Sequence, residues 1–460
     1  MKIGPVVLGA VLAFAHVAAQ DTARPDAGSN AVDAIKGADP HLVGAVRAVE
    51  ERITGIVQAA HAPGLLALRA DEPARAAEAR VRAERWLPPG VAEARGRAWR
   101  DLGLGTGPEP RDLAMAVAAD LPGMTFDASR QRLLVDPERL PDDVVRGDPD
   151  ENSDASVMLA TGVAPDEPVA GHYVAHALLD GAETLGPQTT DALLARAALA
   201  EGGANLAAMV LLFGGVGLES EVLSGALRPE DALGGRLVPG AMRSASPVVG
   251  HLLEFVYLDG FAQVAALARK GGFRRLAQER AARKTTSDVL HVDRAPVAAA
   301  VLPDPTLPGT LGLAIADRDS LGEQGIITLV SLATGKDNLA LIAGDGWAGD
   351  RLWRFEPAPG GKAPEADGET IWVSRWKTEG DAADFVYAME RCLLARFPGD
   401  SIVDDPQRGG RVLKRFDRVY RLEKEGAQVV VRVATPGIDA TIDSPAKKKG
   451  PARPSNPSKK

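Results

Sequence analysis

Apolar positions first recur at helical spacing. Leu42, Val46, Val49, Ile53, Ile56 and Val57 share one face of a helix over residues 41–60. Residues 71–99 are rich in Ala, Glu and Arg, the pattern of exposed helices, with Pro88-Pro89-Gly90 as an interruption. Leu113–Leu121 reads as another helix with Asp112 before it as a cap. Leu133-Leu134-Val135 reads as a short strand, and Val169–Leu179 as a helix. Thr190–Phe213 is a longer apolar helix with Gly202-Gly203 as its weak point. Ser246–Lys270 is a further apolar helix that ends at Gly271-Gly272.

The pattern changes near Pro303-Asp304-Pro305. Gly322–Ala333 follows as a helix, and Leu339–Ile342 as a strand or a helix end. Trp353–Phe355 and Ile371–Trp376 alternate as strands around a loop at 357–368. Asp381–Phe397 is an amphipathic helix, and Val412–Leu422 with Ala427–Thr435 form a closing pair of strands. The expected class is α+β, a helix-rich region at 41–302 followed by a smaller α/β region at 303–436, without internal repeats.

Composition bounds the function. The chain of 460 residues has 45% hydrophobic and 25% charged residues, as a folded protein does. A net charge of −9 disfavours general nucleic-acid binding, which needs a basic field. Basic residues gather in Lys447–Lys460, inside a segment 437–460 expected to be disordered. Cys392 stands alone, which excludes an intrachain disulfide framework and a thiolate metal cluster. At the N-terminus, Lys2, the apolar run Val6–Val17 and the small residues Val17-Ala18-Ala19 form an export signal over residues 1–19. A flexible linker at 20–40 follows it. These features predict a periplasmic or secreted protein with no second membrane-spanning segment and no anchor once the signal is cleaved.

Chemistry begins at His172-Tyr173-Val174-Ala175-His176. Two histidines four residues apart share a helix face and can bind one zinc ion. Asp180 lies one turn further on. Glu201, on the next helix, can return as a third, oxygen ligand. Asn205, one turn beyond it, is placed to hydrogen-bond a ligand from behind. Histidines at this spacing also occur packed in a helix without a metal.

The segment resembles the HExxH helix of zinc metallopeptidases whose third ligand is a glutamate on a following helix. More broadly, the order of motifs over about 90–395 resembles an exported bacterial HExxH metallopeptidase-like family, mostly uncharacterised. That family's HELVHALQDQ and ALVEGDA segments correspond to His172–Gly181 and Ala198–Ala204. Its GFYDPxxxxLyV strand corresponds to Gly123–Val135, and GGW to Gly271-Gly272-Phe273. STEQVLH corresponds to Thr285–His291, LGE to Leu321-Gly322-Glu323, and GWGGDR to Gly346–Arg351. The resemblance implies a zincin-like core with zinc on His172, His176 and Glu201.

Two departures bear on activity. Tyr173 stands where the family has its general-base Glu, and a phenol with a reference pKa near 10 is a poor base at neutral pH. Gly203 replaces an Asp expected to support a ligating histidine. The expectation is a metallopeptidase-like protein that has lost peptide hydrolysis and retains metal, peptide or envelope-protein binding. Two alternatives stay open: an active zinc hydrolase in which Asp180 or Asp288 substitutes as base, and a metal-free envelope interaction module. Elsewhere, Gly344–Arg351 lacks the Gly-Lys-Ser/Thr of a phosphate loop, and Asp350-Arg351 reads as a structural ion pair. Glu323 reads as a cap or core ion-pair residue, His251 and His291 as satisfied histidines, and Cys392 as buried and inert.

Overall fold

The computed structural model describes residues 40–58, 66–119, 124–127, 132–135, 166–179, 186–232, 237–305, 312–358, 368–405 and 409–436. The expected signal peptide, almost all of the linker, Asp180 and the basic tail lie outside them. The fold is α+β. It divides into two compact units: Met1–Ala92 with Pro108–Ala298, and Glu93–Gly107 with Ala299–Lys460.

The first unit is helical, with one small sheet. Its main elements are α1 (Pro40–Val57), β1 (Leu66–Arg69), α2 (Glu72–Trp86), the start of α3 (Pro89–Leu102), α4 (Glu109–Ala119), β2 (Met124–Asp127), β3 (Arg132–Val135), α5 (Asp166–Leu179), α6 (Thr190–Phe213), α7 (Pro247–Glu254), α8 (Gly260–Arg269), α9 (Gly272–Ala282) and α10 (Thr286–Leu290). The strands run in the order β1-β3-β2, with β1 parallel and β2 antiparallel to β3. The α4 helix starts at Glu109, so Asp112 sits in its first turn and not at its cap.

The core of this unit is α6, buried along nearly its whole length. Thr189 caps it by accepting from the Ala192 amide. It packs on α5, α8, α1 and the π-helical turn Phe255–Asp259 that joins α7 to α8. By length and composition, Thr190–Val216 and Pro247–Arg269 can each cross a membrane, and most of each is buried inside the unit. Gly202 is not a weak point. A Cβ there would lie 2.6 Å from the Gly260 carbonyl oxygen, and one on Gly260 equally close to the Ala198 carbonyl. The two glycines let the α6 and α8 backbones touch.

The second unit is a seven-stranded sheet of order β4-β5-β6-β10-β9-β8-β7. Its strands are β4 (Leu313–Asp319), β5 (Trp347–Pro357), β6 (Glu369–Trp376), β7 (Val403–Asp404), β8 (Arg411–Lys414), β9 (Val419–Glu425) and β10 (Gln428–Ala434), and its helices are α11 (Gly322–Thr334), α12 (Asp337–Gly344) and α13 (Glu379–Arg396). Every described strand pair is antiparallel, in keeping with the expected α+β class. Leu339–Ile342 is helical, within α12. Val412–Leu422 is two strands, because a turn closed from the Arg415 amide to the Arg418 carbonyl splits it. Trp353, Phe355, Ile371, Val373 and Val430 cluster with Leu302 on one sheet face. On the other, Phe385 of α13 packs against Trp372 and Trp376.

Glu93–Gly107 belongs to this second unit and interrupts the expected continuous 41–302 region. Ion pairs explain the change. Arg95 meets Asp317 at 3.0 Å and Asp319 at 3.4 Å, both of β4. Asp101 accepts from Arg354 at 2.6 Å and from Thr370 at 2.7 Å. Arg396 donates to the Arg100 and Asp101 carbonyls at the end of α3. Removing one partner of such a buried pair costs about 3–5 kcal/mol, because the other charge is left uncompensated. The exposed helix expected at 93–99 is therefore a buried one, with Arg95 and Trp99 both inside.

Gly202→Ala tests the helix contact. Alanine gains about 1 kcal/mol of helix propensity. Overpacking against a backbone carbonyl costs about 1–3 kcal/mol. The expected net change, read by denaturant unfolding, is a loss of about 0–2 kcal/mol, where an exposed Gly→Ala change is stabilising.

Candidate metal centre

Helices α5 and α6 bring His172, His176 and Glu201 together, all buried. The packing is close because Gly171, beside His172, lies against Leu211 and Ile53, where a Cβ would come within 2.8 Å of Leu211. Gly202, beside Glu201, makes the α8 contact described above. Each of these ligand-bearing helices thus has a glycine next to a donor residue.

The three donor atoms form a small triangle. His172 Nε2 lies 3.0 Å from His176 Nε2. Glu201 Oε2 lies 3.2 Å from His172 Nε2 and 3.4 Å from His176 Nε2. Tetrahedral zinc with bonds of about 2.0–2.1 Å sets its donors about 3.3–3.4 Å apart. The observed separations of 3.0–3.4 Å are therefore those of three donors able to share one ion.

Hydrogen bonding also points to a shared cation. Asn205 Oδ1 accepts from His172 Nδ1 at 2.9 Å, which leaves His172 Nε2 as a lone pair facing the triangle. Glu201 Oε2 is buried and has no hydrogen-bond partner, although two imidazole nitrogens are near it. A buried carboxylate oxygen without a donor is costly, and a metal ion at the common point satisfies it. Burial holds the His172 imidazole below its ordinary value. Burial by itself pushes the Glu201 carboxyl up, but the imidazoles, His176 foremost, outweigh it and hold the carboxyl below the usual range. The His172 shift favours the neutral imidazole that ligates metal.

Tyr173 is buried, and its hydroxyl donates to the Met124 carbonyl of β2 at 2.7 Å. It serves as a strut to the sheet. Position 203 faces the apolar Leu179 and Leu276 side chains, and it is Asn205 that bonds His172 from behind. Asp288 is not a free base: it accepts from the Lys284, Thr285 and Val297 amides and closes the capping box of α10. Asp180 lies outside the described residues.

The other sequence candidates stand apart from this cluster. Asp350 does not serve as the ion-pair partner expected of Asp350-Arg351. It accepts from Ser320 Oγ, the Leu321 and Gly322 amides, and the Trp347 and Trp372 indoles, and so holds the start of α11. That role was hidden because the donors come from three separate stretches of chain. Glu323 is buried in the first turn of α11. His251 and His291 are half-buried on or beside α7 and α10. Burial pushes the Cys392 thiol up to about 12, which makes it inert at neutral pH.

A family model described as a domain of unknown function (DUF8575) matches residues 311–443. No curated protein and no solved structure matches the chain.

Asn205→Leu removes the acceptor that orients His172. Zinc affinity by competition titration is expected to fall about 10–100-fold. Acid provides a second check on the metal-free chain. His172 is held below 6.5, so between its folded value and 6.5 the unfolded chain binds more protons and stability falls as pH drops. Glu201, held below 4.5, adds a loss of the same sign at lower pH. The thermal midpoint is expected to fall from about pH 7 to about pH 5, and to fall less in His172→Gln.

Proposed function

We propose that the chain is an exported, metallopeptidase-like protein that holds a divalent ion on His172, His176 and Glu201 and does not hydrolyse peptides. The observation that carries the metal assignment is the convergence of three buried donor atoms, two imidazole nitrogens and one carboxylate oxygen, within 3.4 Å of one another. Two imidazoles and one carboxylate are a donor set that suits zinc. A zinc ion held there supplies Lewis acidity and acidifies a bound water. What this chain's own residues do is hold and orient the donors. The Tyr173 hydroxyl is spent as a donor on Met124, and Asp288 is spent on a helix cap. Neither can accept water's proton, which supports the loss of hydrolysis. The export assignment rests on the charge and hydrophobicity of residues 1–19.

Metal analysis of the purified full chain tests this directly. About one zinc per chain is expected, lost in His176→Ala, together with no cleavage of unstructured peptides above a chelated control. A metal-free chain after zinc incubation overturns the metal assignment. Zinc-dependent proteolysis by the unmodified chain overturns the loss of hydrolysis.

A further inference from the structure

Tyr173 stands beside both histidines of the proposed centre. It follows His172 on α5 and is completely buried. Its ring meets the His172 ring edge-on, with centroids 5.1 Å apart, and lies 6.3 Å from the His176 ring. Its hydroxyl reaches Met124 in β2, the outer strand of the three-stranded sheet. One phenol therefore spans from the helix that carries both imidazoles to the edge strand of the sheet.

Burial and charge restrict what can reach an ion there. His172, His176 and Glu201 show only 0%, 3% and 2% exposure. A divalent ion with two neutral imidazoles and one carboxylate retains one positive charge, and an uncompensated buried charge is costly. Its fourth ligand is then best an anion, small enough to sit beside the Tyr173 ring.

We propose that Tyr173 is a plug. It restricts the ion's fourth position to water or a monoanion of a few atoms, hydroxide being the simplest, and shuts out larger chelating groups. This inference rests on the metal assignment above.

Cobalt(II) in place of zinc gives a visible readout that does not depend on activity. The full chain, Tyr173→Phe and Tyr173→Ala are loaded with cobalt, metal content is measured, and the visible bands are followed during titration with azide or acetohydroxamate. Azide is expected to shift the bands in all three. Acetohydroxamate is expected to leave the unmodified chain and Tyr173→Phe unchanged and to bind Tyr173→Ala at least about tenfold more tightly, because only that variant opens space. Tyr173→Leu, which keeps more buried apolar volume, repeats the test where the alanine variant does not fold. Hydroxamate binding to the unmodified chain overturns the plug, as does exclusion from every Tyr173 variant. An unmodified chain that holds cobalt yet ignores azide overturns the small-anion assignment. A chain that takes up no cobalt removes the metal assignment and this inference with it.

Discussion

Backbone contact between helices is the constraint from which the centre follows. Gly202 and Gly260 let α6 and α8 touch, and Gly171 lets α5 settle against Leu211 of α6 and Ile53 of α1. In this packing a carboxylate on α6 and two imidazoles on α5 come within 3.4 Å. The cost of that packing is a buried carboxylate oxygen without a donor, which an ion removes. On the metal assignment proposed above, stability and metal binding are coupled in this unit: an ion that binds only the folded arrangement adds its binding free energy to folding.

The residues around the donors are committed to structure. Tyr173 ties α5 to β2. Asp191, in the first turn of α6, accepts from both the amide and the hydroxyl of Thr286, which anchors α10 to the ligand-bearing helix. Asp288 closes the cap of α10. Each of these polar groups has found a partner, whereas Glu201 Oε2 and Asn205 Nδ2 within the centre have none.

Spacing within one helix was legible in the sequence. His172 and His176 share a face because they are four residues apart, and so do Glu201 and Asn205. Long-range pairing was not legible. Arg95 and Asp101 look like exposed helical charges until β4, β5 and β6 supply Asp317, Arg354 and Thr370. Tyr173 looked only like a missing base, because its partner is a backbone carbonyl 49 positions away. Asp350 suggested a local ion pair, because its donors lie in segments that the sheet brings together. In each case periodicity identified the element, and tertiary contact gave the side chain its role.

X-ray absorption at the zinc edge of the zinc-loaded full chain tests the central claim most directly. The account predicts a first shell of about four nitrogen and oxygen atoms at about 2.0–2.1 Å, with outer-shell scattering from two imidazoles that disappears in a double His172→Ala, His176→Ala variant. A shell of water oxygens alone, or the same imidazole signal retained in that variant, contradicts it.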